Sequence, residues 1–165
     1  MNTKEITSSL ATLFSELTDG APKGGGAFVL NSGDSGLLRS LEKLTAVEAS
    51  HSANGGATVA AHAQHLRYGL SLMNRWAAEG GDPFANAHWD AAWKTSSVNE
   101  SEWKEIRMGL EDEARKWLMV LRTSRDVSAV ELNGLIASIA HLAYHLGAIR
   151  QIEKATRGPK EGTFA

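Results

Sequence analysis

The sequence predicts an all-α protein: a four-helix bundle with a long loop and a short helix between the first and second long helices. Apolar residues recur at helical spacing in four separate segments of the 165 residues. No segment shows the apolar–polar alternation of a half-buried strand, and loops join the four segments, as in helical bundles. A chain of this length buries a substantial core, so we treat residues 1–165 as one domain.

The first long helix and the segment after it differ in composition. An apolar stripe at helical spacing covers residues 3–19, and glycine then recurs through residues 20–36, which is typical of a long surface loop. Leucines recur at helical spacing over residues 37–44. They predict the short helix, and Asp34 or Ser35 is its candidate N-cap.

The three other long helices are predicted from their apolar stripes and their beginnings. The second covers residues 57–78. Ser-x-x-Glu motifs at residues 97–100 and 128–131 are capping boxes, which satisfy free backbone N–H groups, and they begin the third and fourth helices. The fourth helix is predicted to end at Gly158 and Pro159. Its apolar stripe consists of Leu135, Ile139, Leu142 and Leu146.

Composition limits the chemistry and the partners of the chain. It contains no cysteine, so disulfides, thiolate metal ligands and a cysteine nucleophile are excluded, and nitrogen or oxygen must hold any metal. The net charge of -2, with both signs mixed, lacks the basic stripe of a nucleic-acid-binding surface. The first residues show no signal peptide, and no run reads as apolar enough to span a bilayer. We therefore expect a cytoplasmic protein with no nucleic-acid or membrane partner.

Two histidines on the fourth helix give the clearest indication of chemistry. His141 and His145 are four residues apart, so both imidazoles lie on the same side of the helix and can converge on one cation. The small residues Gly134 and Ser138 continue the same line and leave room for a metal and its substrate. The alternative is a pair of neutral core histidines, each hydrogen-bonded to a carbonyl or to Tyr144.

A third ligand is available on the second helix, where His62 and His65 lie three residues apart. Periodicity mildly favours His62, which follows the apolar stripe of that helix, but a ligand can equally flank the stripe, as His141 and His145 do on the fourth helix. Three neutral imidazoles from two helices leave coordination positions open for water or substrate, which is typical of a catalytic site. His88 is a fourth candidate, although solvated loop histidines are more usual.

The histidine motifs resemble those of a known family. His141-x-x-x-His145-x-Gly147 on the last helix, with Thr58-Val-x-x-x-x-x-His65-Leu on the second, is similar to the DinB/YfiT-like superfamily of four-helix metalloproteins. The resemblance covers most of the chain, from the first helix to the last. In that family the ligand on the second helix is the histidine directly before an aliphatic residue. The resemblance therefore implies a metal bound by His65, His141 and His145.

The resemblance also implies a function. Members include thiol-cofactor-dependent transferases and isomerases, such as mycothiol-dependent maleylpyruvate isomerase and bacillithiol transferases. By this similarity we expect a divalent-metal enzyme with zinc, nickel or a similar ion, a low-molecular-weight thiol, a small-molecule substrate and a homodimeric state. Tyr68, Tyr144 and Arg150 are candidate wall residues that steer an anionic substrate, although an arginine near a helix end is more often a solvated charge. The alternative is a non-catalytic binding or interaction protein with a structural metal or none.

Overall fold

The computed structural model describes residues 3–24 and 26–160, and every regular element in these two ranges is a helix. The all-α prediction is thereby confirmed. Residues 1, 2, 25 and 161–165, which the single-domain prediction includes, lie outside the described residues. The α-helices are α1 (Thr3–Asp19), α2 (Gly36–Glu42), α3 (Ala46–Ala49), α4 (Val59–Glu79), α5 (Trp89–Trp93), α6 (Glu100–Arg122) and α7 (Ala129–Ile152), with short 3-10 helices at Ala53–Gly55 and Lys154–Thr156.

The four long helices pack against one another around a common core. Helix α6 contacts both α1 and α4, and α7 also contacts both α1 and α4. Two fully buried tryptophans lie in this core, and each has a partner for its indole N–H: Trp103 Nε1 donates to the carbonyl of Leu44 over 2.8 Å, and Trp117 Nε1 donates to Ser138 Oγ over 2.9 Å. The apolar stripe predicted for the fourth helix is buried.

Helix beginnings confirm one predicted capping box and correct the other. Helix α7 begins with the predicted box of Ser128 and Glu131. Helix α6 instead uses Asn99 with Glu102, because asparagine is as effective an N-cap as serine and Glu102 stands at the third helical position. The carboxylate of Glu100 is engaged elsewhere, where it accepts a hydrogen bond of 2.8 Å from the backbone N–H of Ala46.

The beginning of α2 distinguishes its two candidate caps, and the end of α7 differs from the prediction. Ser35 stands at the N-cap of α2 but makes no side-chain cap, whereas Asp34 Oδ1 accepts a hydrogen bond of 2.8 Å from the N–H of Gly36. Helix α7 ends at Ile152, before the predicted Gly158, because Glu153 has an extended backbone and begins the 3-10 helix that follows. The short helices α3 and α5 have no counterpart in the sequence prediction.

Helix α7 is the most apolar of the long helices. By length and composition alone it could cross a membrane, so the expectation that no run is that apolar is wrong for this segment. In the structure α7 packs against α1 and α4 and buries seven of its residues. A core helix of a soluble bundle meets the same criterion, so composition alone assigns this helix no membrane role.

Candidate metal centre

Helices α4 and α7 bring four histidines together, which we call the histidine cluster: His62, His65, His141 and His145. The Nε2 atom of His141 lies 3.1 Å from Nε2 of His65 and 2.9 Å from Nε2 of His145. These three histidines can each offer one nitrogen within 4.8 Å of the others, as one shared ion requires. The contact between His65 and His141 links residues 76 positions apart along the chain, so the packing of α4 on α7 creates the cluster.

The chemistry of the three nitrogens fits a metal better than a hydrogen-bonded network. A neutral imidazole nitrogen offers either one N–H or one lone pair, so His141 Nε2 cannot make a well-directed hydrogen bond to both neighbours. Two nitrogens that each lie about 2.0–2.1 Å from a tetrahedral zinc ion are about 3.3 Å apart, close to the separations seen here. A cation between the nitrogens would accept all three lone pairs.

His62, the fourth member of the cluster, contacts the ring nitrogen of His145 that does not face His141. Its Nδ1 lies 2.8 Å from Nδ1 of His145, and one proton between these two atoms makes the hydrogen bond. If His145 keeps that proton, its Nε2 lone pair is free to face the other two ligands. His62 therefore occupies the position of the outer partner that fixes the tautomer of a metal-binding histidine.

His65 has one nitrogen that the described part of the chain leaves unsatisfied. Its Nδ1 is buried and has no hydrogen-bond partner. The ring is instead stacked on Trp93, with centroids 4.4 Å apart and an angle of 25° between the planes. Nδ1 is the outer nitrogen of this ring, because Nε2 is the atom that faces His141; when Nε2 offers its lone pair, Nδ1 carries the proton.

Helix α5 covers the histidine cluster with two tryptophans. Trp89 and Trp93 are four residues apart and so project to the same side of α5; their rings lie 5.4 Å and 4.4 Å from the ring of His65. The helix is anchored by Tyr68, whose hydroxyl accepts a 2.9 Å hydrogen bond from the N–H of His88. Sequence reasoning missed this cover, although the Trp-x-x-x-Trp spacing repeats that of the histidines.

Burial keeps the histidine cluster neutral. Desolvation lowers the pKa of all four imidazoles, because the charged form loses its contact with water. Neighbouring histidines lower the pKa further, to about 4 for His65 and to about 3 for His145. At neutral pH the cluster therefore presents lone pairs, the form that binds metal ions.

A cavity of about 680 Å³ opens beside His141 between α4, α7 and the loop that carries α5. This volume is typical of sites for small molecules. Gly134 and Ser138, which the sequence placed on the histidine line, contribute to its wall, as do Trp76, Phe84 and Trp89. The centre thus combines three convergent nitrogens with adjoining space for a ligand.

The other predicted site residues have different surroundings. Tyr68 supports the α5 segment, and Tyr144 is largely exposed, with its ring centroid 5.1 Å from that of His145. Arg150 binds the buried carboxylate of Asp34 over 2.7 Å and 2.8 Å. His88 is exposed at the N-cap of α5 and is not part of the three-histidine group.

Comparison of the chain with protein-family models, with curated proteins and with solved structures found no match. Membership of the DinB/YfiT-like superfamily therefore stays a prediction that depends on the two histidine motifs.

Proposed function

We propose that this protein is a divalent-metal-dependent enzyme of the DinB/YfiT-like kind, in which α1, α4, α6 and α7 form the four-helix bundle. His65, His141 and His145 hold zinc, nickel or a similar ion. One observation carries the proposal: three neutral imidazoles direct Nε2 atoms at a common point, with separations of 2.9 Å and 3.1 Å at His141. Three nitrogen ligands leave room for a water or substrate in the fourth position.

The proposed reaction is a transfer or isomerisation that uses a low-molecular-weight thiol. A bound divalent ion supplies Lewis acidity and lowers the pKa of a coordinated water or thiol. The residues of the chain provide the surroundings for that chemistry. His62 holds the proton on Nδ1 of His145, Trp93 covers the ring of His65, and the cavity beside His141 admits a small-molecule substrate.

The neighbouring cavity favours this proposal over a purely structural metal. A structural zinc site is closed by four protein ligands, whereas this cluster combines three convergent nitrogens with an adjoining space of about 680 Å³. A homodimer and a cytoplasmic location are part of the proposal. Both follow from the resemblance to the DinB/YfiT-like superfamily and from the composition of the chain.

Metal content measured after purification without a histidine tag tests the metal site. We expect about one divalent ion per chain in the native protein, and loss of that ion in His141→Ala, since removing one of three ligands leaves too few to hold it. His51→Ala is the matched control, because His51 is exposed and outside the cluster. A native protein that binds no zinc, nickel or cobalt in equilibrium dialysis would disprove the proposal.

Cobalt substitution tests the thiol. Cobalt(II)-loaded protein is titrated with 2-mercaptoethanol, and the control titration uses ethylene glycol, in which a hydroxyl replaces the thiol. We expect only the thiol to produce a new thiolate-to-cobalt charge-transfer absorption, and His141→Ala should abolish it. Identical spectra with the two compounds would show that the thiol does not reach the ion.

A further inference from the structure

The walls of the cavity beside His141 are almost entirely apolar. Aromatic rings of Trp76, Phe84 and Trp89 face aliphatic side chains of α4 and α7, among them Leu70 and Leu142. Rings and aliphatic groups of this kind bind a ligand by removing its apolar surface from water. The cavity is large enough for a molecule with one or two rings.

No side chain in the described part of the wall offers an anion a full positive charge. The hydroxyl of Ser138 donates to the carbonyl of Leu135 and accepts from Trp117. Among the described residues that line the cavity there is no lysine or arginine, and the one acidic side chain is Asp82. Arg150 is paired with Asp34 and does not line this cavity. In the metal-free protein an anionic ligand would therefore lose its hydration without gaining a counter-charge from a side chain.

The inner part of the cavity reaches the histidine cluster. His141 lines the cavity and also contributes to the three-histidine group. Gly69 lies between the two: a Cβ atom added there would be 3.7 Å from Cε1 of His141 and 3.7 Å from Cζ3 of Trp89. The absence of a side chain at this position keeps the wall open where the cavity approaches the imidazole.

We propose that this cavity binds an uncharged small molecule with an aromatic or alicyclic body, whose functional group is directed at His141. The ligand class follows from the apolar walls and from the absence of a cationic side chain among their described residues, while Asp82 is exposed and already accepts from the N–H of Phe84. The claim that this ligand is the substrate rests on the proposed function. The claim that the cavity binds this ligand is independent of the proposed function, so the two claims can be tested separately.

A matched pair of fluorescent probes tests the ligand class. N-phenyl-1-naphthylamine is neutral, and 1-anilinonaphthalene-8-sulfonate has the same ring system with an added sulfonate. We expect the neutral probe to bind metal-free protein at least about tenfold more tightly than the anion, because sulfonate would be desolvated without a partner. Equal affinities, or tighter binding of the sulfonate, would overturn the proposed class.

Two phenylalanine substitutions on α7 locate the probe. Ala137 lines the cavity and is exposed, so Ala137→Phe should fill the cavity without disturbing the core and weaken binding of the neutral probe at least about tenfold. Ala140→Phe is the control, because Ala140 is also exposed on α7 but does not line the cavity. If both variants bind the probe as the native protein does, the binding site lies elsewhere.

A charge substitution tests the electrostatic argument. Val130 lines the cavity and is 70% exposed, so Val130→Arg adds a cation to the wall at a position where water can still reach it. We expect this variant to bind the sulfonate probe several-fold more tightly, and Val47→Arg, at an exposed position on α3, to leave binding unchanged. No gain in sulfonate affinity for Val130→Arg would contradict the assignment of specificity to the wall charge.

Metal loading separates this inference from the proposed function. Probe binding to the chelated protein tests the cavity alone, and equilibrium dialysis of metal tests the histidine cluster alone. If the cavity binds the probe and the histidine cluster binds metal, cobalt(II) should quench the fluorescence of the bound neutral probe more strongly than zinc, since the probe lies beside a metal ligand. Equal fluorescence with the two ions would place the probe away from His141 and overturn the proposed orientation, whereas failure of metal binding alone would reject only the enzyme proposal.

Discussion

Helix α7 supplies side chains to two polar groups that differ in whether their members complement one another. Arg150 and Asp34 carry opposite charges, and the guanidinium donates to both carboxylate oxygens over 2.7 Å and 2.8 Å. Asp34 also accepts from the N–H of Gly36. In the histidine cluster, by contrast, like neutral rings face each other, and Nε2 of His141 lies 3.1 Å and 2.9 Å from two other imidazole nitrogens.

The difference separates a group that supports the fold from one that awaits a ligand. Every oxygen of Asp34 has a donor, so the pair fixes the loop before α2 against the end of α7. Nε2 of His141 has one N–H or one lone pair, so it cannot satisfy both neighbouring nitrogens at once. Like groups that cannot satisfy one another point to a ligand site more strongly than burial alone.

The largest effect expected from a single substitution is on stability, from loss of the ion pair. Arg150→Ala leaves the Asp34 carboxylate, whose side chain is 1% exposed, without its counter-charge, and should lower the free energy of unfolding by about 3–5 kcal/mol. Urea denaturation measures this. Arg115→Ala is the control, because its pair with Asp19 is partly exposed and should contribute only about 0–1 kcal/mol. Equal effects of the two substitutions would contradict the distinction.

The next effect is the pH dependence of the metal-free protein. Unfolding restores the ordinary histidine pKa of about 6.5, so below that pH the unfolded chain binds protons that the folded one excludes. Stability is therefore fully present above about pH 6.5 and is lost toward pH 4, by about 1.4 kcal/mol per pH unit for each of His65 and His145.

Urea denaturation at pH 7, 6 and 5 in the presence of chelator checks this dependence. His51→Gln should leave the slope unchanged, since His51 is exposed and lies outside the cluster. Free imidazole alone would predict metal release between about pH 6.5 and 5, but the lowered pKa values move proton competition to lower pH. Stability that is flat from pH 7 to 5 would show that the cluster is not buried in neutral form.

A smaller effect is expected from the outer partner of His145. His62→Ala removes the atom that pairs with Nδ1 of His145 and should weaken metal affinity about 10–100-fold. His62→Asn should retain much of the affinity, because its amide oxygen can accept the same proton. Competition with a chromogenic chelator measures the metal affinity of both variants. Similar affinities for the two variants would mean that His62 acts by packing alone.

The smallest effect concerns the segment that covers the cluster. Tyr68→Phe removes the hydroxyl that accepts from the N–H of His88 and should destabilise α5 by about 1 kcal/mol. Hydrogen exchange of the His88 amide should become faster. Tyr144→Phe, on the exposed face of α7, is the control and should leave that exchange rate unchanged. An unchanged rate in Tyr68→Phe would show that other contacts hold α5.

Local patterns in the sequence determined the long helices and the pairing of two ligands. Apolar spacing predicted α1 over residues 3–19, as found, and the Ser128 box predicted the beginning of α7. The spacing of His141 and His145 placed both rings on one side of α7, because neighbours at i and i+4 follow from helix geometry alone. These features depend on residues within a few positions of each other.

Tertiary structure alone decided how the helices meet. His62 and His65 are three residues apart on α4, and only the rotation of α4 against α7 directs one to Nδ1 of His145 and the other to Nε2 of His141. Asp34 and Arg150 are 116 positions apart, and neither lies in a local motif that would indicate their pairing. Periodicity records which face of a helix is apolar, whereas contacts between distant residues depend on packing, which the spacing of residues along the chain does not encode.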